Sequence, residues 1–281
     1  MIVDTHTHVL SKDLKRYPRN VAEIGTSWVT EEPATPESLL ERMAGAGIDR
    51  AILVQAWGAY AFDNSVVVDA AARDPERFVA VVIVDASRPD AAKLLEQWVR
   101  ERGAKGVRLF TRDAPGSFLL DDPATFPVWE RARALGIPAC VQTQFAQIPR
   151  LRTTLRRFPD IPAILDHGAY APLDDGPPYR AAAPLFDLAS LPNFALKVTS
   201  MTLDSASQGK STWREFFPRL VERFGASRLV WGSNYPATHD RGLKEQLAQA
   251  REAFGFLNAS EREAVFGGNA LKIWPAPRGR G

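Results

Sequence analysis

A single cysteine, Cys140, stands in a chain of 281 residues, so no internal disulfide can form and stability must come from packing. No charged head, apolar core and cleavage site precedes the first apolar segment, and a reduced, cytoplasmic compartment is expected. Long apolar runs are missing as well. The longest, Phe78 to Val84, falls far short of the roughly 20 residues of a membrane span, so no membrane partner is expected. Neither sign of charge dominates. The 35 lysines and arginines nearly balance 33 aspartates and glutamates, and no basic run is interleaved with aromatics, which argues against nucleic acid as a partner. Glycine- or serine-rich linkers are absent, which leaves one domain over residues 1–275 and a flexible tail over 276–281. Histidine is scarce, four in all, so where each one falls carries weight.

What the chain does contain is a regular alternation. Eight short apolar runs occur: Ile2 to Val9, Ala51 to Gln55, Phe78 to Val84, Gly106 to Phe110, Ala139 to Thr143, Ala163 to Asp166, Phe194 to Thr199 and Leu229 to Gly232. Most are continuous rather than alternating, as strands covered on both faces are. Between them lie helix starts, Thr35-Pro36, Pro89 and Asp122-Pro123, and helix stops at Gly47, Gly103, Gly136 and Gly225. A final helix is expected from Ser260, with Glu263 completing a capping box. Eight units of about 35 residues match the βαβ repeat and close most economically as an α/β (β/α)8 TIM barrel, a single domain with a short C-terminal helix. A doubly wound open sheet is the runner-up, but no Gly-x-Gly-x-x-Gly turn follows the first strand.

In such a barrel the chemistry sits at the carboxyl ends of the strands. Polar residues collect there. The first strand carries Asp4, His6 and His8, which strict alternation places on one face. Arg108 lies on the fourth strand with Arg112 beyond it, Gln142 on the fifth, Asp166-His167-Gly168 at the end of the sixth, Lys197 on the seventh and Asn234 after the eighth. A guanidinium binds a carboxylate bidentately, so Arg108 and Arg112 form a cradle for an acidic substrate. Lys197 on a barrel strand needs a carboxylate, from the protein or from a ligand. Tyr170, in the loop after strand six, is a candidate pocket wall, whereas His239 reads as a surface residue and Cys140 as core filler.

Asp4-Thr-His-Thr-His8, Lys105-Gly-Val-Arg-Leu-Phe110, Asp166-His-Gly168, Trp231-Gly-Ser-Asn-Tyr-Pro236 and Gly268-Asn-Ala-Leu271, in this order, resemble the amidohydrolase superfamily. Within it they resemble the amidohydrolase 2 branch, which includes 2-pyrone-4,6-dicarboxylate lactonase and related lactonases. The resemblance implies that His6, His8 and His167 face a reacting carbonyl and that a small carboxylated lactone, or a similar cyclic ester or amide, is opened by water. Metal-dependent members carry a histidine on strand five and an aspartate on strand eight; here Gln142 and Asn234 stand there. No tightly bound cofactor is therefore expected, and a weak zinc on His6 and His8 is the most this set supports. The aspartate replaced by Asn234 is the water-activating base of the lactonases, and an amide cannot take a proton at neutral pH. His167 is then the first choice of base, with Asp4 or Asp240 behind it, while Asn234 orients the water, donates to the oxyanion or caps a turn. A metal-dependent decarboxylase and a non-catalytic small-molecule binder are the rival functions. A homo-oligomer is compatible with all of them.

Overall fold

A computed structural model describes residues 1–20, 27–111 and 117–276; Arg112 and all but the first residue of the expected tail lie outside the described residues. Eight strands pair in parallel and in sequence order: β1 (Val3–Thr7), β2 (Arg50–Val54), β3 (Phe78–Ile83), β4 (Val107–Phe110), β5 (Ala139–Gln142), β6 (Ala163–Leu165), β7 (Phe194–Thr199) and β8 (Leu229–Gly232). The ring closes just beyond β8. Thr7 bridges Tyr235 in parallel register, the His8 N–H donates to the Tyr235 carbonyl at 2.8 Å, and the Asn234 N–H donates to the His6 carbonyl at 2.8 Å. With helices between the strands, this is the expected (β/α)8 barrel rather than an open sheet.

Continuous apolar strands follow from burial on both faces. Val3, Ile52, Val54, Val79, Val81, Cys140, Ile164 and Val230 form one cluster inside the barrel, and Ala270 and Trp274 at the final helix (Asn269–Ile273) join it as a plug. Their neighbours along the strands, Leu53, Ala80, Leu109 and Val141 among them, pack outward in the larger cluster. Among the described residues no helix is long and apolar enough to cross a membrane.

Local signals act as their chemistry requires. Thr35 Oγ1 accepts from the Ser38 N–H at 3.2 Å, Pro36 opens the helix Pro36–Ala46, and Gly47 ends it at φ 71°. The expected cap at Ser260 is corrected. Asn258 caps the helix Ala259–Glu263, its Oδ1 accepting from the Glu261 N–H at 3.0 Å while Glu261 Oε2 accepts from the Asn258 N–H at 3.0 Å. Asparagine caps as well as serine does, and Glu261 sits at the third helical position that a capping box needs.

The expected sharing of one face holds for His6 and His8, whose ring centroids lie 5.0 Å apart, whereas Asp4 is tied to the backbone of Ser233 and His6. Val3 belongs to the cluster inside the barrel, yet His6, an odd number of residues later, also reaches inward to Asp166 beyond β6. A register shift between Asp4 and Thr7 in the β1–β2 pairing makes this possible, because an irregularity there resets which residues face in. Asp4 takes a structural position instead. Its Oδ1 accepts from the Ser233 N–H at 2.8 Å and the His6 N–H at 3.1 Å, tying β1 to the end of β8.

Candidate active site

At the carboxyl ends of the strands lies a cavity of about 350 Å³, walled by His8, Arg108, Gln142, His167, Tyr170 and Asn234 among others. That volume suits a small ligand. A larger opening of about 800 Å³ between Trp213 and Phe256 lies on the outer helices, away from the strand ends. His6 and Lys197 are completely buried behind the wall. Lys197 is thus corrected from a substrate contact to an internal cation, since its partner is a carboxylate of the protein.

That carboxylate is Asp166, to which sequence reasoning gave no role. Its Oδ1 lies 2.8 Å from Lys197 Nζ and 3.6 Å from His6 Nδ1, and its Oδ2 accepts from Arg108 Nε at 2.7 Å. Burial alone would raise the Asp166 pKa, but Lys197, His6 and Arg108 hold it well below the usual carboxylate range. One carboxylate therefore anchors a cation from β7 and another from β4. Arg108 spends Nε on Asp166, and its Nη groups make no hydrogen bond among the described residues, although the side chain lines the cavity. The available signal was a lone aspartate in an apolar strand end, facing a barrel that contains two buried cations.

Three imidazoles meet as the sequence suggested. The His6 ring centroid lies 5.0 Å from that of His8 and 4.6 Å from that of His167. Each is held in its neutral form. Burial, with Arg108 adding to it, lowers His8 to about 4; burial lowers His167 to about 3; burial and then Lys197 lower His6 well below 6.5. Their ring nitrogens are not equivalent. His8 Nδ1 lies 2.9 Å from the Val54 carbonyl oxygen, which can only accept, so Nδ1 carries the proton and Nε2 presents a lone pair. His167 Nδ1 lies 2.8 Å from Thr199 Oγ1; that oxygen accepts the Thr202 N–H, and its hydroxyl hydrogen has no other acceptor among the described residues, which assigns it to the ring and the His167 proton to Nε2.

His167 owes its position to an unusual backbone. His167, Gly168, Ala169 and Tyr170 have φ of 55°, 60°, 53° and 55°, a left-handed turn in which only the glycine is at ease. It brings the Tyr170 ring over His167, with centroids 5.6 Å apart. The Tyr170 hydroxyl accepts from Gln142 Nε2 at 3.3 Å, and Gln142 Oε1 is buried without a partner among the described residues. Trp28, which opens the short helix Trp28–Glu31 after β1, stacks on His8 at 5.4 Å. Asn234 stands in a turn at φ 67°, its Nδ2 donates to Thr238 Oγ1 at 3.1 Å, and the residue borders the cavity.

The remaining candidates fall away from the cavity. Asp240 is exposed and lies 3.5 Å from Arg241, and His239 pairs with Glu31 at 3.0 Å on the surface. Cys140 is buried in the barrel, and burial pushes its thiol up to about 11, which keeps it an inert core residue.

A closed (β/α)8 barrel that gathers histidines and a cation-paired acid at its strand ends has the architecture of a TIM-barrel enzyme. The amidohydrolase family matches residues 3–276, and the chain belongs to it. Over 256 residues it is 29% identical to L-fucono-1,5-lactonase of Burkholderia ambifaria, covering 88% of this chain and 87% of that one. It is 30% identical over 241 residues to 4-sulfomuconolactone hydrolase of Hydrogenophaga intermedia, covering 83% and 74%. A solved amidohydrolase from Burkholderia multivorans with bound zinc shares the fold at a TM-score of 0.80 and 21% identity, over 99% of this chain and 100% of that one.

Proposed function

We propose that this protein hydrolyses a small carboxylate-bearing lactone. The single observation that carries the reading is a pair of Nδ1 contacts at one cavity, a carbonyl oxygen against His8 and a hydroxyl against His167, from which a lone pair on His8 Nε2 and an N–H on His167 Nε2 are inferred. Hydrolysis of an ester needs both, a base for water and donors for the oxygen that becomes negative. The two curated relatives above are named for lactones, which supports the same reaction class.

In this reading the lactone carbonyl oxygen lies against the His167 imidazole and reaches His6 Nε2, which is buried between His8 and His167 until the substrate enters. Water sits between His8 Nε2 and Asn234 Oδ1. As water attacks, His8 takes its proton, and the charge that develops on the carbonyl oxygen is met by the donors opposite. Collapse breaks the ring C–O bond, and His8 returns the proton to the leaving alkoxide. Its lowered pKa makes it a weak base but a strong acid for this second transfer. His8 replaces the earlier choices of base because His167 presents a proton, Asp4 is committed to Ser233 and His6, and Asp240 faces solvent.

The substrate class follows from charge. Arg108 is the one charged side chain lining the cavity among the described residues, and only its Nε is taken by Asp166. A carboxylate is the complementary ligand.

His6, Asp166 and His167 have ligand atoms all within 4.8 Å of one another, the geometry of a cation cluster. Their chemistry does not fit a tightly held zinc. Both Asp166 oxygens already face cations, an ammonium lies 3.2 Å from His6 Nδ1, and the amides Gln142 and Asn234 stand where metal-dependent members carry histidine and aspartate. The decarboxylase alternative needs such a metal and is disfavoured on that ground. A panel of carboxylated and uncharged lactones, followed by proton release, tests the proposal: the carboxylated ones should open in the parent protein and not in His8→Ala. Opening at equal rates in both proteins would remove His8 from the mechanism, and opening of no lactone at all would remove the function.

A further inference from the structure

Among the three imidazoles, His6 alone has its proton placed by charged side chains. Its Nδ1 lies 3.2 Å from Lys197 Nζ and 3.6 Å from Asp166 Oδ1, while Lys197 Nζ is itself 2.8 Å from that same oxygen. An ammonium has three hydrogens and no acceptor, so its approach to a ring nitrogen requires the lone pair there. The proton of the neutral ring then resides on Nε2. That nitrogen is buried and has no hydrogen-bond partner among the described residues. A buried N–H without an acceptor is costly, and here the ring stands between His8 and His167, both of which line the cavity.

The carboxylate alone would act in the opposite sense. With no ammonium between them, Asp166 Oδ1 would draw the His6 proton to Nδ1 and turn a lone pair toward the substrate, which repels a carbonyl oxygen. Lys197 is itself held from several sides: it has no exposed surface, it is paired with Asp166, and its Nζ lies 6.0 Å from the centre of the Trp274 ring in the barrel plug.

Resting on the lactonase reading, in which His6 polarises the reacting carbonyl, we propose that Lys197 is a positioning residue: its ammonium locks His6 as the Nε2–H tautomer and so aims a donor at the substrate oxygen. Lys197 touches no reacting atom. It acts only through His6.

The test is a long-range 1H–15N correlation spectrum of enzyme labelled at histidine, which reads the protonated nitrogen of each ring, with signals assigned by single histidine substitutions. The parent should show His6 protonated at Nε2 and His8 at Nδ1. In Lys197→Met the His6 proton should move to Nδ1 while His8 is unchanged, and kcat should fall about 100-fold with KM little altered, as for loss of one oxyanion donor. Lys197→Gln keeps an N–H donor and should restore the Nε2–H form and part of kcat. If the Met variant does not fold, the parent and Gln spectra still decide. His6 protonated at Nδ1 in the parent, or a tautomer unmoved in Lys197→Met, overturns the proposal. A tautomer that shifts as stated in a protein that opens no lactone would uphold the positioning role and defeat the lactonase reading instead.

Discussion

Lys197 Nζ and Asp166 Oδ1 lie 2.8 Å apart with no solvent exposure on either side chain, and the second oxygen of the same carboxylate holds Arg108. A single negative charge thus locates two cations, one from β4 and one from β7. Asp166→Asn keeps the size and removes the charge, leaving both cations without a counter-ion. Loss of one partner of a buried pair costs about 3–5 kcal/mol, so the urea midpoint should fall sharply and lactone opening should be lost. An unchanged midpoint would show that the cations find water or another partner.

Asn234→Asp tests whether the amide is a relic or a working part. The new carboxylate would border the cavity that Arg108 offers to the substrate carboxylate. One unfavourable charge of this kind, worth about 1.4 kcal/mol, raises KM for a carboxylated lactone about tenfold and leaves an uncharged analogue little affected. A higher kcat in this variant would mark the parent as a site that has lost its base.

Acid should destabilise the fold before its surface carboxylates titrate. His8 at about 4, His167 at about 3 and His6 well below 6.5 must each gain a proton on unfolding, so their contribution is present above pH 6.5 and lost as pH falls toward the folded values. Asp4 opposes them. Burial raises it to about 6, so the native state holds a proton there that the unfolded chain releases. Near pH 5 the net is an uptake of about two protons, a slope of about 2 to 3 kcal/mol per pH unit. Urea titrations at pH 7, 6 and 5 should show stability falling in that order; a flat series would mean that the imidazoles are protonated in the native state.

Gly232 gives a steric test of the same centre. A Cβ there would stand 2.8 Å from His6 Cβ and 2.9 Å from the His6 amide nitrogen, closer than real contacts allow. Gly232→Ala should cost about 1–3 kcal/mol as β8 and β1 are pushed apart. Displacing His6 by even a fraction of an ångström should lower kcat about 100-fold. Full activity would place His6 outside the reaction.

The barrel was legible because parallel strands covered on both faces leave continuous apolar runs, from Phe78–Ile83 to Leu229–Gly232, and because Thr35-Pro36 and Gly47 signal helix ends through backbone chemistry alone. The convergence of His6, His8 and His167 followed from strand ends. The rest needed three dimensions. Alternation could not show the register shift after Asp4, and nothing in Ala169 or Tyr170 favours the left-handed turn that orients His167. Asp166 and Lys197 satisfy each other between the neighbouring strands β6 and β7, and a sequence does not record which of two buried charges faces a partner and which a ligand. The choice between His8 and His167 as base depends on the Val54 carbonyl and the Thr199 hydroxyl, neighbours contributed by other strands.

Metal content measured alongside turnover bears most heavily on the claim that histidines alone polarise the carbonyl. Enzyme stripped with a strong chelator, its zinc quantified by mass spectrometry, should open a carboxylated lactone at the same kcat as untreated enzyme. A kcat that falls with residual zinc and returns in proportion to zinc added back would contradict it.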